Sequence, residues 1–140
     1  MKINIASNEI IHFIGIGGIG MSGLAQIMKN MGFKIQGSDL NTNKNTERLI
    51  RSGIKVYIGH HQKNLRKATM IIISSAINKN NKELKAARQK NLPVFKRGQM
   101  LANIVALKKK YCHYRITWQD NNNFIDCKYF SRIRFRSYSD

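Results

Sequence analysis

Short apolar runs alternate along this chain with segments whose apolar residues recur every three or four positions. The run IHFIG at 11–15 leads into a glycine cluster, which is typical of a buried strand that enters a turn. The run TMIII at 69–73 is rich in β-branched residues, which favours a strand covered on both faces. Residues 19–31 place apolar side chains at helical spacing, and Gly32 follows as a stop signal.

This pattern predicts strands at 11–15, 34–37, 54–59, 69–73 and 92–95, and helices at 19–31, 47–52, 81–90 and 97–107. Thr46 is predicted to cap the second helix, and Asn80 or Asn81 the third. Strands that alternate with helices in this way form a parallel sheet with right-handed crossovers. We therefore expect an α/β fold, a Rossmann-like parallel sheet of about five strands with flanking helices.

The chain changes character after residue 107. Residues 108–140 show no clear period and contain a triple Asn, both Cys and the only Trp. We therefore expect one folded domain at 1–107 and an irregular C-terminal tail at 108–140.

A glycine loop lies between the first strand and the first helix. Gly15, Gly17 and Gly20 satisfy the G-x-G-x-x-G pattern in the strand–turn–helix context that the pattern requires. Glycines there permit a tight turn and a close approach of a phosphate to the backbone, and the helix N-terminus offers free N–H groups. The loop predicts a nucleotide-diphosphate site, and the alternative is a glycine-rich packing turn.

Polar residues end the second and third strands. Asp39 follows Gly20 by 19 positions, where a dinucleotide-binding domain places an acid on the ribose hydroxyls. Asp39 could instead cap a turn, and Ser38 could fill either role. His60 follows the third strand, where it could contact a ligand or lie in a solvated loop.

Small residues end the fourth strand. Ser74, Ser75 and Ala76 follow the apolar run, and the carboxyl end of a strand faces the ligand crevice of an open sheet. They could bind a ribose or a base edge, or they could cap the following helix.

The net charge is unusually high. The chain has 25 Lys and Arg against 7 Asp and Glu, a formal charge of +18, which is typical of nucleic-acid binding. However, the basic residues are scattered, and no nucleic-acid-binding motif is present. The 20 Ile, 16 Lys and 15 Asn have codons that use almost only A and T, so base composition explains the charge. We expect no specific nucleic-acid partner.

The sequence lacks the features of membrane-spanning and exported proteins. No apolar stretch reaches the roughly 18 residues of a membrane span. The N-terminus has no signal-peptide pattern, and 2 Cys are too few for a disulfide scaffold. These features predict a cytoplasmic protein with no membrane partner.

Four segments together carry a family resemblance. The stretches IHFIGIGGIGMSGLAQIMKNMGFKIQGSD, GIKVYIGH, IIISSAI and LPVFKRGQML resemble, in order and spacing, the N-terminal domain of the Mur ligases of peptidoglycan synthesis. Within that family they look like the enzymes that join L-alanine to UDP-N-acetylmuramate. The resemblance covers about residues 10–107. An NAD(P)-binding domain, the alternative, would share the glycine loop and Asp39 but not the GMSGLA and SSAI segments.

The resemblance implies which ligands this domain binds and which belong to the full-length family. UDP-N-acetylmuramate would bind to this domain, whereas ATP and Mg²⁺ belong to the full-length family, which activates the lactyl carboxylate for attack by L-alanine. It implies no catalytic residue, metal or cofactor in this chain, which we expect to be inactive alone. The residues implied to cradle the diphosphate are Gly15, Gly17, Gly18, Ile19, Gly20 and Met21. Those implied to line the uridine side are Ser38, Asp39, Ser74, Ser75 and Ala76.

The tail departs from the family pattern. The resemblance implies a P-loop, G-[ST]-H-G-K-T-T-T-T-S, soon after the last helix, but no GK[ST] occurs in the chain. Suitable codons for residues 115–125, read one base later, encode GSHGKTTTTSL. The single Trp118 codon fixes two bases of a shifted glycine codon, and a run of A at Lys108–Lys110 would be the slip point. We interpret the tail as a frameshifted P-loop region, and a divergent tail that folds on its own is the alternative.

Overall fold

The computed structural model describes residue 5 and residues 8–111 of the chain. Its strands are β1 (Ile10–Ile14), β2 (Lys34–Asp39), β3 (Lys55–Ile58), β4 (Met70–Ile73) and β5 (Val94–Lys96). Its helices are α1 (Ile19–Asn30), α2 (Lys44–Arg51), α3 (Lys82–Gln89) and α4 (Arg97–Tyr111), with a short 3₁₀ helix at Gln62–Leu65. The 3₁₀ helix was not predicted from the sequence.

All five strands form one parallel sheet in the order β3-β2-β1-β4-β5. The predicted α/β fold with a five-stranded parallel sheet and flanking helices is therefore confirmed. The chain runs outward from β1 to β3 and then returns to the other side of β1 with β4. In open α/β sheets, ligands bind outside the carboxyl ends of the strands at such a reversal. Here the reversal lies between β1 and β4.

The sheet is covered on both faces, as the apolar run at 69–73 predicts. Ile11, Phe13 and Ile72 pack on one face, in a cluster that includes residues of α1 and α4. Ile14 and Ile71 pack on the other, in a cluster that includes residues of α3. Because successive residues of a strand point to opposite faces, both faces require apolar residues at alternate positions.

The start of α2 differs from the prediction. Thr46 was predicted to be the cap, but Asn43 is the N-cap, and Thr46 lies at the third helical position. The side chain of Asn43 accepts from the Thr46 amide at 2.9 Å, and the Thr46 hydroxyl accepts from the Asn43 amide at 2.8 Å. This reciprocal capping box satisfies two amides and starts the helix at Lys44. Asn81, one of two predicted candidates, caps α3.

The last helix extends beyond the predicted boundary. Helix α4 continues to Tyr111, four residues past the predicted end at 107. Lysine has good helix propensity, so the three lysines of the sequence at 108–110 are compatible with this extension. Residues 108–111, which were predicted to begin the irregular tail, are helical, and the rest of the predicted tail, residues 112–140, lies outside the described part of the chain.

Candidate functional site

The glycine loop leaves the carboxyl end of β1 and becomes the first turn of α1. Gly15 has a φ of +80°, a left-handed conformation that favours glycine. Gly18 is the N-cap of α1, and its carbonyl accepts the first intrahelical bond, from the Ser22 amide at 2.8 Å. No side chain caps this helix, and the amides of residues 19–21 have no acceptor among the described residues. These free donors could bind an anion.

Gly17 is enclosed by side chains from β2 and α2. Its amide donates to Oδ2 of Asp39 at 2.8 Å, and its carbonyl accepts from the side-chain amides of Asn43 and Asn45. A Cβ at Gly17 would lie 2.7 Å from Asn43 Nδ2 and 2.9 Å from Thr46 Cγ2. A phosphate was predicted to approach the backbone here, but in the structure side chains of Asp39, Asn43 and Thr46 occupy the space beside Gly17. Packing alone therefore requires glycine at position 17.

Asp39 contacts the glycine loop directly. Besides accepting from Gly17, its carboxylate lies 3.4 Å from the amide of Asn41, in the manner of a turn cap. Both contacts are compatible with the turn-capping alternative. If Asp39 binds the ribose as predicted, its carboxylate must either release the Gly17 amide or accept hydrogen bonds from that amide and from the ribose together.

Arg97 lies against the first turn of α1. It is the first residue of α4 and follows β5 directly. A Cβ built on Gly20 would lie 2.6 Å from Nη1 of Arg97 and 3.0 Å from its Cζ, so the third glycine leaves room for this guanidinium. Arg97 was not among the site residues predicted from the sequence. The available signal was its position at the carboxyl end of a strand, where the glycine loop also lies.

Ser38 is placed differently from the predicted ligand-contacting residues. Its side chain is fully buried, and its hydroxyl donates to Oε2 of Glu83 at 2.5 Å. Its backbone carbonyl accepts from the amides of Gly15 and Ile16. In this conformation Ser38 therefore supports the glycine loop through its backbone, and its hydroxyl is committed to the interior.

Glu83 is the centre of a buried polar cluster behind Ser38. Its Oε1 accepts from the side-chain amide of Asn64 at 2.6 Å, and its Oε2 accepts from Nδ1 of His60 at 3.0 Å. Nε2 of His12 lies 3.5 Å from the same Oε2. Burial raises the pKa of Glu83, but the contacts with His12, Ser38 and Asn64 outweigh it, so the pKa lies below its ordinary value. The carboxylate joins β1, β2, α3 and the loop after β3.

His60 is not a solvated loop residue, and its ligand contact stays a prediction. Its side chain is only 10% exposed, and its Nδ1 donates to Oε2 of Glu83 at 3.0 Å. Glu83 was not predicted from the sequence, since an acidic residue in the segment NKELKAARQK looks like part of a solvated helix face.

The predicted residues after β4 lie beside the glycine loop. A Cβ on Gly15 would be 3.4 Å from Cβ of Ser74, and Ser75 and Ala76 are exposed. The hydroxyl of Ser74 accepts from the amide of Ala76, and α3 is capped by Asn81. The helix-capping alternative for these serines is therefore wrong, and two of the three residues are accessible.

Comparison with known proteins identifies the family. The description "Mur ligase family, catalytic domain" matches residues 10–109. The chain belongs to the Mur ligase family. It is 63% identical over 109 residues to the UDP-N-acetylmuramate–L-alanine ligase of Pelagibacter ubique, covering 78% of this chain and 24% of that enzyme. It is 51% identical over 100 residues to the enzyme of the same name from Rickettsia bellii, covering 71% of this chain and 21% of that enzyme.

Solved structures agree with this assignment. The UDP-N-acetylmuramate–alanine ligase of Thermotoga maritima superimposes with a TM-score of 0.69 at 30% identity, over 71% of this chain and 23% of that one. A UDP-N-acetylmuramate:L-alanyl-γ-D-glutamyl-meso-diaminopimelate ligase from Neisseria meningitides gives 0.65 at 33% identity, over 69% of this chain and 31% of that one. This Mur ligase chain spans about a quarter or less of the curated relatives it matches. It corresponds to their N-terminal domain, and the NAD(P)-binding alternative is not favoured.

Two further properties bear on this Mur ligase domain. Among residues 8–111, no three His, Cys, Asp or Glu side chains are grouped so as to hold a metal ion. In the same part of the chain, no helix is both long and apolar enough to cross a membrane.

Proposed function

We propose that this chain binds the UDP moiety of UDP-N-acetylmuramate, as the first domain of a UDP-N-acetylmuramate–L-alanine ligase. The free amides of residues 19–21 carry this proposal, because they lie at a helix N-terminus at the carboxyl end of the central strand. The names of the relatives support the identity of the substrate. We further propose that the domain acts in the cytoplasm and has no specific nucleic-acid partner.

The proposed site divides into two parts. The diphosphate would lie on the first turn of α1, held by the amides of Ile19, Gly20 and Met21, while Gly15, Gly17 and Gly18 set the path of the loop. The uridine would lie toward the ends of β2 and β4, near Asp39 and the exposed residues Ser75 and Ala76. Ser38 and Ser74 would support these two strand ends.

We propose that ATP and Mg²⁺ bind outside this domain. The chain has no GK[ST] sequence, and its described residues offer no cluster of metal ligands. Phosphoryl transfer depends on positioning and charge stabilisation, which a P-loop and a metal ion supply in other nucleotide-dependent enzymes. We therefore assign ATP, Mg²⁺ and L-alanine to the parts of the full-length relatives that lie beyond the matched residues.

The interpretation of residues 108–140 as a frameshifted P-loop region remains our proposal. It is supported by the family match, which extends to residue 109, within the Lys108–Lys110 run. Resequencing the DNA around codons 107–111 tests it. One A fewer in the run would support a sequencing error, whereas an unchanged sequence that does not encode GSHGKTTTTSL in the shifted frame would contradict the proposal.

Calorimetric titration tests the binding function. We expect the chain to bind UDP-N-acetylmuramate and UDP, and to bind NADH weakly or not at all. A duplex oligonucleotide, titrated at two salt concentrations, should show only weak binding that salt abolishes, because non-specific binding to phosphates depends on counterion release. Binding of NADH without binding of UDP would contradict the assignment.

A further inference from the structure

The buried carboxylate of Glu83 is a common acceptor for two segments at the carboxyl ends of neighbouring strands. Its Oε2 accepts from the hydroxyl of Ser38, in β2, at 2.5 Å and from Nδ1 of His60, after β3, at 3.0 Å. Its Oε1 accepts from the side-chain amide of Asn64, in the 3₁₀ helix, at 2.6 Å. One residue of α3 therefore ties the end of β2 to the chain that follows β3.

The end of β2 in turn holds the glycine loop. The carbonyl of Ser38 accepts from the amide of Gly15 at 2.8 Å and from that of Ile16 at 3.0 Å. The side chain of the next residue, Asp39, accepts from the amide of Gly17 at 2.8 Å. Three successive amides of the loop are thus held by two residues of one strand end. A movement of this strand end relative to the sheet would carry the loop with it.

Glu83 has no permanently charged partner among the described residues. Its side chain is fully buried, and its ion-pair contacts are with His12 and His60. Ser38 and Asn64 face it as neutral donors. Burial of a carboxylate is costly when no lysine or arginine neutralises it, and a well-packed apolar residue is often at least as stabilising. The advantage of a carboxylate here is that both of its oxygens accept hydrogen bonds, whereas a glutamine accepts through one oxygen only.

His12 completes the set of donors around this carboxylate. The side-chain nitrogen of Gln36 donates to the carbonyl of Asn64 at 2.9 Å and lies 3.2 Å from Nδ1 of His12. Because an amide nitrogen only donates, Nδ1 must accept, and neutral His12 carries its proton on Nε2. This Nε2 has no hydrogen-bond partner among the described residues, and it lies 3.5 Å from Oε2 of Glu83. The groups around Glu83 are thus arranged for one negatively charged acceptor that they share.

We propose that Glu83 is a positioning residue for UDP binding, which acts through Ser38 on the glycine loop. The inference rests on the proposed UDP-binding function and adds a residue that does not contact the ligand. Hydrogen bonds weaken steeply when their distance or angle leaves the normal range. A shift of the loop would therefore weaken the ligand contacts proposed for the free amides at the start of α1. The carboxylate of Glu83 keeps these amides in place from the face of the sheet that α3 covers.

Hydrogen exchange tests the positioning role in the unliganded chain. Glu83→Gln places an NH₂ group among side chains that all donate, so the end of β2 should be released. We expect the amides of Gly15 and Ile16, which donate to this strand end, to exchange about tenfold faster than in the wild type. This local change is the readout that a purely structural role of Glu83 would not produce.

Ile104→Val is the matched control for lost stability. Ile104 is 2% exposed and packs on the other face of the sheet, away from the Glu83 cluster. Both variants are compared with the wild type at pH 7, after urea unfolding has shown that each is folded. The control should speed exchange of the sheet and the loop alike, because it acts through global unfolding. Only Glu83→Gln should speed exchange of the loop amides more than that of Ile71, in β4.

Calorimetry with UDP tests the consequence for binding. We expect about tenfold lower affinity for Glu83→Gln, the scale of one lost hydrogen bond to a charged group, and wild-type affinity for Ile104→Val. Ser38→Ala should lower the affinity similarly. Glu83→Gln should then add little in the Ser38→Ala background, because both substitutions break the same link. Fully additive losses in the double variant would contradict a route through Ser38.

The outcomes separate the two proposals. If wild-type protein fails to bind UDP, the proposed function is wrong. If the wild type binds UDP and Glu83→Gln binds within about twofold of it, the function stands and the positioning role of Glu83 is overturned. Equal losses of affinity for Glu83→Gln and Ile104→Val would trace the effect to stability, which also overturns that role. If Glu83→Gln does not fold, Ser38→Ala replaces it, and unchanged loop exchange and UDP affinity in that variant contradict the proposal.

Discussion

The carboxylate of Asp39 accepts a hydrogen bond from the amide of Gly17, with 2.8 Å between Oδ2 and the nitrogen. The contact joins the carboxyl end of β2 to the middle of the glycine loop. In dinucleotide-binding domains an acid in this place binds the ribose hydroxyls. In this structure the carboxylate holds the middle of the loop through the Gly17 amide, and its ribose contact stays a prediction. An effect of Asp39 on ligand binding can therefore arise through the loop.

Substitution of Asp39 distinguishes loop support from charge. We expect Asp39→Ala to lower UDP affinity about tenfold or more, because the Gly17 amide loses a charged acceptor. Asp39→Asn keeps an oxygen that can accept from this amide, so its affinity should remain much closer to that of the wild type. Calorimetry with UDP measures both. Equal losses for the two variants would indicate that the carboxylate charge, and not the loop contact, supports binding.

The Glu83 cluster predicts a dependence of stability on pH. A carboxyl group whose pKa is lower in the folded state stabilises the fold above its unfolded pKa, and this stabilisation is lost as pH falls through the folded pKa. For Glu83 the loss should begin as pH falls toward the ordinary value of 4.5 and continue below it. His12, His60, Ser38 and Asn64 are the groups that face this carboxylate. Urea unfolding at a series of pH values measures the effect.

Glu83→Gln should remove part of that acid sensitivity. At pH 7 we expect it to lower the free energy of unfolding by about 1–3 kcal/mol, since a buried acceptor becomes a donor that faces other donors. Glu47→Gln is the matched control, because Glu47 is exposed and pairs only with Arg51 at 3.8 Å. Its effect should be no more than about 1 kcal/mol. A Glu83→Gln protein with wild-type stability and the same pH profile would contradict this account.

Gly37, in the middle of β2, should not tolerate a side chain. A Cβ there would lie 2.8 Å from Cβ of Ile16 and 2.9 Å from the carbonyl oxygen of Phe13, and neither atom can move without moving backbone. We expect Gly37→Ala to lower the free energy of unfolding by about 1–3 kcal/mol through overpacking.

Gly23 provides the control for that substitution. It lies within α1, and a Cβ there would meet nothing within 4 Å. Gly23→Ala should therefore raise stability by about 0.5–1 kcal/mol through helix propensity. Thermal and urea unfolding measure both variants. The packing argument fails if Gly37→Ala is as stable as Gly23→Ala.

The chain alone should show no ligase activity. Tight binding of a UDP group does not lower a chemical barrier, because only interactions that strengthen in the transition state do so. We expect no L-alanine-dependent phosphate release when the purified chain is given UDP-N-acetylmuramate, L-alanine and Mg-ATP. A gene with one A deleted in the Lys108–Lys110 run, followed by its downstream sequence, should give turnover. Turnover by the 140-residue chain itself would show that the tail has been misinterpreted.

The order of strands and helices could be predicted from the sequence because each element has its own periodicity. The glycine loop could be located because its spacing is local and its flanking strand and helix are recognisable. The placement of Arg97 beside Gly20 and the role of Glu83 could not be predicted, since both depend on elements distant in sequence that meet only when the sheet forms. Glu83 looks like an exposed helix residue until the buried Ser38, His60 and Asn64 are placed around it.

The contacts of Gly17 hold the peptide groups on both sides of its α-carbon. Asp39 holds the amide, and Asn43 and Asn45 hold the carbonyl. The loop is therefore preorganised before any ligand arrives. The conformational entropy lost in ordering the loop is lost when the domain folds and not when the ligand binds. Preorganisation reduces the entropic penalty of binding. The start of α2, which need not touch the nucleotide, thus contributes to affinity by restricting the unliganded state.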